Sequence, residues 1–188
     1  MTKADETKTR ILDAALDEFS TRGVAGARVD RIAAAAGCNK NLLYVYFGSK
    51  ENLFTVVLEQ HLVRVYEDEP FTPDDLPGFA GRVFDFAMTH PDLMRLVAWS
   101  TLEQSTHFPN GRAASHDAKI AALAQAQAEH RLDTEFSPAF LVTTVMSLAS
   151  SWSAAFPFGL AMHPDRTPPP LADLRAQVVQ AIRRLTSA

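Results

Sequence analysis

The sequence predicts an all-α fold: an N-terminal three-helix head containing a helix-turn-helix, then a larger C-terminal helical domain. Three observations carry this expectation. Apolar residues recur at helical spacing, from Ile11, Leu12, Ala15, Leu16 and Phe19 near the start to Leu171, Leu174, Val178, Ile182 and Leu185 near the end. Residues 28–50, RVDRIAAAAGCNKNLLYVYFGSK, read as a helix, a tight turn and a second short helix. Phe136 to Met162 holds no charged residue, the pattern of a helix buried on several sides.

Taken in order, residues 1–7 are polar and expected to fray. A first helix spans Lys8 to Thr21 and Gly23 ends it. A second begins near Val29 and keeps Ile32, Ala33 and Ala36 on one face. Gly37 then supplies a left-handed turn, and Asn39 caps a third helix over Lys40 to Tyr46. Leu43 and Phe47, four residues apart, are its buried side; Lys40, Asn41, Tyr44 and Lys50 are left outside. Ser49 caps a fourth helix, whose stripe of Leu53, Phe54, Val57, Leu58, His61, Leu62 and Val65 runs to about Tyr66. The acidic segment 67–78 reads as a loop and a boundary. Beyond it come a helix from Leu76 to Met88, an apolar and largely buried one from Asp92 to Gln104, and a loop at 105–111. An Ala-rich helix to about His130, the uncharged segment, a Pro-rich connection at 157–170 and a last helix from Leu171 to Leu185 complete the chain. The expected domains are a head at 1–50, a connecting helix at 51–66 and a C-terminal domain at 67–188.

Composition narrows the class. With 188 residues, 47% hydrophobic and 21% charged, the chain can bury sizeable cores. There is no charged-then-apolar leader, and the single Cys38 allows no internal disulfide, as expected of a cytoplasmic protein. Serines and threonines stud the uncharged segment between Pro138 and Pro157, which argues against a membrane span. The six histidines form no metal-ligand spacing, and no phosphate-binding Gly loop or nucleophile elbow is present. No cofactor, metal or enzymatic activity is therefore expected. The net charge is −4, yet from Arg22 to Lys50 five basic residues face one acid, Asp30, a local +4 suited to nucleic acid.

The residues Ile11, Ala14, Phe19, Gly23, Ile32-Ala33, Gly37, Leu43-Tyr44-Val45-Tyr46-Phe47-Gly48-Ser49-Lys50 and Leu53 resemble the N-terminal domain of TetR-family transcriptional regulators. The resemblance spans about residues 7–60. It implies that the third helix enters the DNA major groove. Lys40 would then donate to guanine O6 or N7, Asn41 pair with adenine N6 and N7, and Leu42 press on a thymine methyl. Tyr44 and Lys50 stand at phosphate-contacting positions. Tyr46 combines a packed ring with a hydroxyl on a phosphate, and Asn39 opens the same surface. Two departures stand out. Ala27-Arg28 replaces the Ser or Thr that caps the second helix and touches a phosphate; losing the cap costs about 1 kcal/mol, and Arg28 takes over the phosphate contact. Val45 is apolar where the family often carries His.

The resemblance also implies a C-terminal ligand-binding and dimerisation domain. Phe140, Thr144, Ser147, Ser151, Leu171, Leu174, Val178 and Ile182 are the candidate dimer interface; the alternative is that these two helices close a monomer core. Phe84, Met88, Trp99, Phe108, Met146 and Trp152 are the candidate pocket for an apolar or aromatic effector, with ordinary core packing as the alternative for each. The function expected is a ligand-responsive repressor that binds a palindromic operator in double-stranded DNA as a homodimer and is released by a small molecule. The alternative is an architectural DNA-binding protein without an effector.

Overall fold

The computed structural model describes residues 2–67, 71–102, 110–159 and 167–186, excepting the side chains of 62–67 and 110–112. Among these residues the chain is helical throughout: α1 (Lys3–Gly26), α2 (Val29–Ala35), α3 (Lys40–Phe47), α4 (Lys50–Glu67), α5 (Leu76–Thr89), α6 (Pro91–Leu102), α7 (Asn110–Ala128), α8 (Pro138–Ser150) and α9 (Leu171–Thr186). A 3-10 turn at Pro73–Asp75 lies in the segment expected to be loop. No described helix is long and apolar enough to cross a membrane. The chain divides into two compact units, residues 1–62 with 92–109, and residues 63–91 with 110–188. This division is discontinuous, unlike the sequential ranges read from the sequence, because α6 belongs with the head.

In the first unit, α1 begins earlier than expected. Thr2 accepts from the Asp5 backbone N–H at 3.2 Å, and the Asp5 carboxylate accepts from the Thr2 N–H at 2.9 Å. This reciprocal cap satisfies two free donors and makes the polar start helical rather than frayed. Gly23 interrupts the helix at φ 66° and ψ 177°, a conformation essentially confined to glycine. Ile11, Ala15 and Phe19 of α1 form the core with Ile32 and Ala33 of α2, Leu43 and Phe47 of α3, and Leu53, Phe54, Val57 and Leu58 of α4. Phe19 meets Phe54 edge-on, ring centroids 5.3 Å apart. On α6, Leu93, Leu96 and Ser100 are buried and the rest of Asp92–Ser100 is half-buried, so the helix is largely covered as expected, with Leu102 at its end 73% exposed.

Trp99 does not stand where the sequence reading put it. It belongs to the first unit, and its indole N–H donates to the Ser20 carbonyl at 3.3 Å. Ser20 lies in the last turn before the Gly23 break, where carbonyls lack helical partners. The side chain anchors α6 on α1, so it is withdrawn from the effector-pocket group. Phe108, and the side chains of Leu62 and Val65, lie outside the described residues.

The second unit is built on α5. Leu76, Phe79, Ala80, Val83 and Phe84 pack with Leu123 of α7, Leu141, Val142, Val145 and Ala149 of α8, and Leu174, Val178 and Ile182 of α9. Helices α5 and α9 approach closely at Gly81, where a Cβ would meet Arg175 Nη2 at 2.9 Å and Val179 Cγ2 at 3.1 Å. One turn along, Arg175 Nε donates to both oxygens of Asp85, at 2.9 and 2.8 Å. Leu174, Val178 and Ile182 are therefore core residues of one chain, each at most 3% exposed, rather than the dimer contacts expected of them. Their apolar stripe is already satisfied by α5.

The uncharged helix α8 is buried on one face only. Its outward side carries Ala139, Phe140, Thr143 and Ser147, while Thr144 and Ser151 are half-buried. Hydroxyls are tolerated there because they bond back along the helix: Thr143 donates to the Ala139 carbonyl at 2.8 Å and Ser150 to that of Met146 at 2.7 Å.

One carboxylate sets the start of α2. Arg28 is its N-cap residue and makes no side-chain cap, as the missing hydroxyl implies. Glu18 of α1, its side chain 11% exposed, instead holds the N-cap residue's own N–H. Its Oε1 takes the Arg28 backbone N–H at 3.0 Å and the Arg31 Nε at 2.8 Å, with Arg31 Nη2 also on it. The Arg31 hydrogen bonds, then the Arg28 N–H and the nearby positive charges, hold the Glu18 carboxyl below its ordinary 4.5. A lowered folded value means that the unfolded chain binds more protons, so stability rises with pH through this window. The contribution is complete above pH 4.5 and is lost as pH falls through the lowered value. Glu18→Gln should lower Tm by roughly 2–6 °C near neutral pH and flatten the acid limb of the stability curve. Thermal unfolding across a pH series checks this; superimposable curves for the two proteins would remove Glu18 from this role.

Candidate nucleic-acid interface

The turn between α2 and α3 is closed by backbone chemistry. Gly37 adopts φ 63°, and the Cys38 N–H reaches the Ala33 carbonyl at 3.0 Å. Asn39 then caps α3, its Oδ1 accepting from the Asn41 N–H at 2.8 Å. With the cap fixed, Leu43 and Phe47 turn inward, while Lys40, Asn41, Tyr44 and Val45 face solvent. Leu42 is half-buried. Ser49 caps α4 by accepting from the Asn52 N–H at 3.0 Å, which places Lys50 beside the start of α2.

These elements enclose an open cleft of about 420 Å³ between the start of α2, the outer side of α3 and the start of α4. Arg28, Lys40, Tyr44 and Lys50 line it together. Lys50 Nζ donates to the Ala27 carbonyl at 3.3 Å, which fixes the ammonium without neutralising it. Tyr44 is 45% exposed. Arg28 makes no ion pair among the described residues. Three cations and a phenol converging from three elements form an acceptor-binding surface of the kind phosphates occupy. Tyr46 sits further along α3, half-buried, its ring edge-on to Phe47 at 6.3 Å and under the Lys8 ammonium at 5.3 Å. Its ring is thus a packing element. Asn39 serves the fold through its cap.

Glu18 escaped the sequence reading, and Asp30 and Val45 were named there without the contacts they make. Glu18 draws Arg22 and Arg31 back toward α1, so those two contribute less to the basic face than a count suggests. Asp30 pairs with Lys40 at 2.9 Å across the turn. Val45 is 74% exposed and shares a face with Asn41, four residues before it; that spacing was the available signal for an apolar group beside the proposed base contacts.

A helix-turn-helix whose outer helix presents polar groups beside a cationic cleft defines a DNA-binding protein of the regulator type. Comparison with known proteins makes this specific. Residues 11–57 match the family described as bacterial regulatory proteins, tetR family, and residues 75–184 the tetracyclin repressor-like C-terminal domain. The chain is 37% identical over 156 residues to the HTH-type transcriptional repressor SCO4008 of Streptomyces coelicolor, covering 81% of each. It is 36% identical over 112 residues to the HTH-type transcriptional repressor NicS of Pseudomonas putida, 56% of this chain and 53% of that one. Among solved structures, the transcriptional regulator SCO4942 from Streptomyces coelicolor aligns with a TM-score of 0.85 at 34% identity, over 96% of this chain and 98% of that one. The chain belongs to the TetR family, whose members are transcriptional regulators and not enzymes.

Arg28→Ala should weaken binding to every DNA sequence alike and reduce the salt slope by about one. A salt titration of binding checks this; an unchanged slope would return Arg28 to the solvated surface.

Proposed function

We propose that this protein is a ligand-responsive repressor that binds a palindromic operator as a homodimer. The observation that carries the reading is the cleft where Arg28, Lys40, Tyr44 and Lys50 meet beside the exposed side of α3. In this reading Arg28, Tyr44 and Lys50 hold phosphates and so set the register on the duplex. Lys40 and Asn41 read base edges, with Val45 and Leu42 offered to thymine methyls. A two-fold dimer would set two such helices in successive major grooves, about 34 Å apart. Repression, rather than activation, is supported by the relatives SCO4008 and NicS, both transcriptional repressors.

The dimer contact is assigned to the outward side of α8, with Phe140 and Ser147, and to the start of α9 at Leu171. Phe140 is 49% and Leu171 47% exposed, and neither the small residues nor the hydroxyls of α8 obstruct a close helix approach. The effector site is assigned to the second unit, where Met88, Met146 and Trp152 are half-buried against the core that contains Phe84. Large apolar side chains with few charges suit an apolar or aromatic ligand. Such a ligand acts only through different affinities for the DNA-competent and released states.

The testing experiment is a salt-titrated gel shift on DNA from upstream of the protein's own gene, with scrambled competitor. Selective binding with a steep salt slope is expected; equal binding to both duplexes would favour an architectural role. Ser147→Glu should dissociate the dimer while leaving the melting curve cooperative, as measured by light scattering on a sizing column. A variant that remains dimeric would move the interface elsewhere.

A further inference from the structure

The cleft holds two acids on a face otherwise suited to phosphates, Glu51 at the start of α4 and Asp30 on α2, and of the two Asp30 is the one that pairs with a cation of α3. Asp30 lies in the first turn of α2, with its side chain 70% exposed and its Oδ1 2.9 Å from Lys40 Nζ on α3. Both residues line the cleft that also holds Arg28, Tyr44 and Lys50. A carboxylate there repels the DNA backbone and lowers sequence-independent affinity. An acid in the first turn favours the dipole of α2, but that requires no partner on α3, and an ion pair this exposed adds little stability.

The geometry offers another account. A lysine ammonium is a mobile point charge with three donors, and on a bare basic surface phosphate oxygens are its strongest acceptors. A phosphate seated on Lys40 would also lie against the Asp30 charge. Guanine O6 and N7 are neutral acceptors and incur no such repulsion. With one proton directed at Asp30, the ammonium keeps two donors for a base edge. Arg31, the adjacent cation, is turned away on Glu18 and does not compete for Asp30.

We propose that Asp30 is a specificity-determining residue, which holds Lys40 across the α2–α3 turn and directs its ammonium from the phosphate backbone to base edges. Asp30 also raises the Lys40 pKa, through their hydrogen bond and then their charges. The assignment rests on α3 being the groove helix.

The test uses a duplex enriched by the wild-type protein from a randomised pool and a scrambled duplex of the same composition, across a salt series. Asp30→Asn keeps the side chain's shape and removes its charge. It should bind scrambled DNA roughly tenfold tighter with little gain on the enriched duplex, so selectivity falls roughly tenfold. The salt slope on scrambled DNA should steepen by about one. Asp30→Glu should retain the wild-type ratio, and in a Lys40→Ala background Asp30→Asn should leave the ratio unchanged. Equal gains on both duplexes would reduce Asp30 to plain repulsion, and losses on both would make Asp30 itself an acceptor for a base amine; either result overturns the proposal. A wild-type protein that enriches no sequence overturns the groove reading, and this assignment with it.

Discussion

The cationic cleft of the head depends on a carboxylate that never reaches it. Glu18, on α1 and largely covered, accepts the first free N–H of α2 and grips Arg31. That bond satisfies the N-cap N–H, as the carboxylate of a capping box would, and leaves the Arg28 side chain at the cleft. Two arginines three residues apart thus take opposite parts. Arg31 turns back into the head, also donating to the Gly26 carbonyl at 2.9 Å, and Arg28 turns outward. Gly23 sets the approach by breaking α1 before this region.

The electrostatics of the head are narrower than its net charge. Arg22 and Arg31 answer to Glu18, and Lys40 to Asp30. Lys50 is fixed on a neutral carbonyl, and so keeps its full charge for an external anion. Arg28 and Lys50, at the starts of α2 and α4, are thus the cleft cations without a carboxylate partner among the described residues, at the two places where phosphates would flank a helix seated in a groove.

Local features were legible in the sequence. The Gly37 turn, the Asn39 and Ser49 caps, and the inward pair Leu43 and Phe47 each depend on residues within a few positions of one another. The Thr2–Asp5 cap was equally local, but was passed over as part of a polar end. What failed was choice of partner. The stripe Leu174, Val178 and Ile182 reads the same whether it meets α5 of its own chain or a second copy. Trp99 reads as a large apolar residue until its N–H finds a carbonyl 79 positions away. Glu18 and Arg31, and Asp30 and Lys40, lie 13 and ten residues apart on different helices, beyond any single periodicity.

Asn41 and Val45 project from α3 outside the core, while Leu43 and Phe47 on the same eight-residue helix hold it to the head. Surface substitutions of this kind change stability by about half a kcal/mol at most. Variation at these two positions is therefore nearly invisible to folding. If these two positions read bases, as proposed, one copy can drift after gene duplication toward a new DNA sequence without passing through a misfolded ancestor, and the fold exerts almost no selection against the attempt.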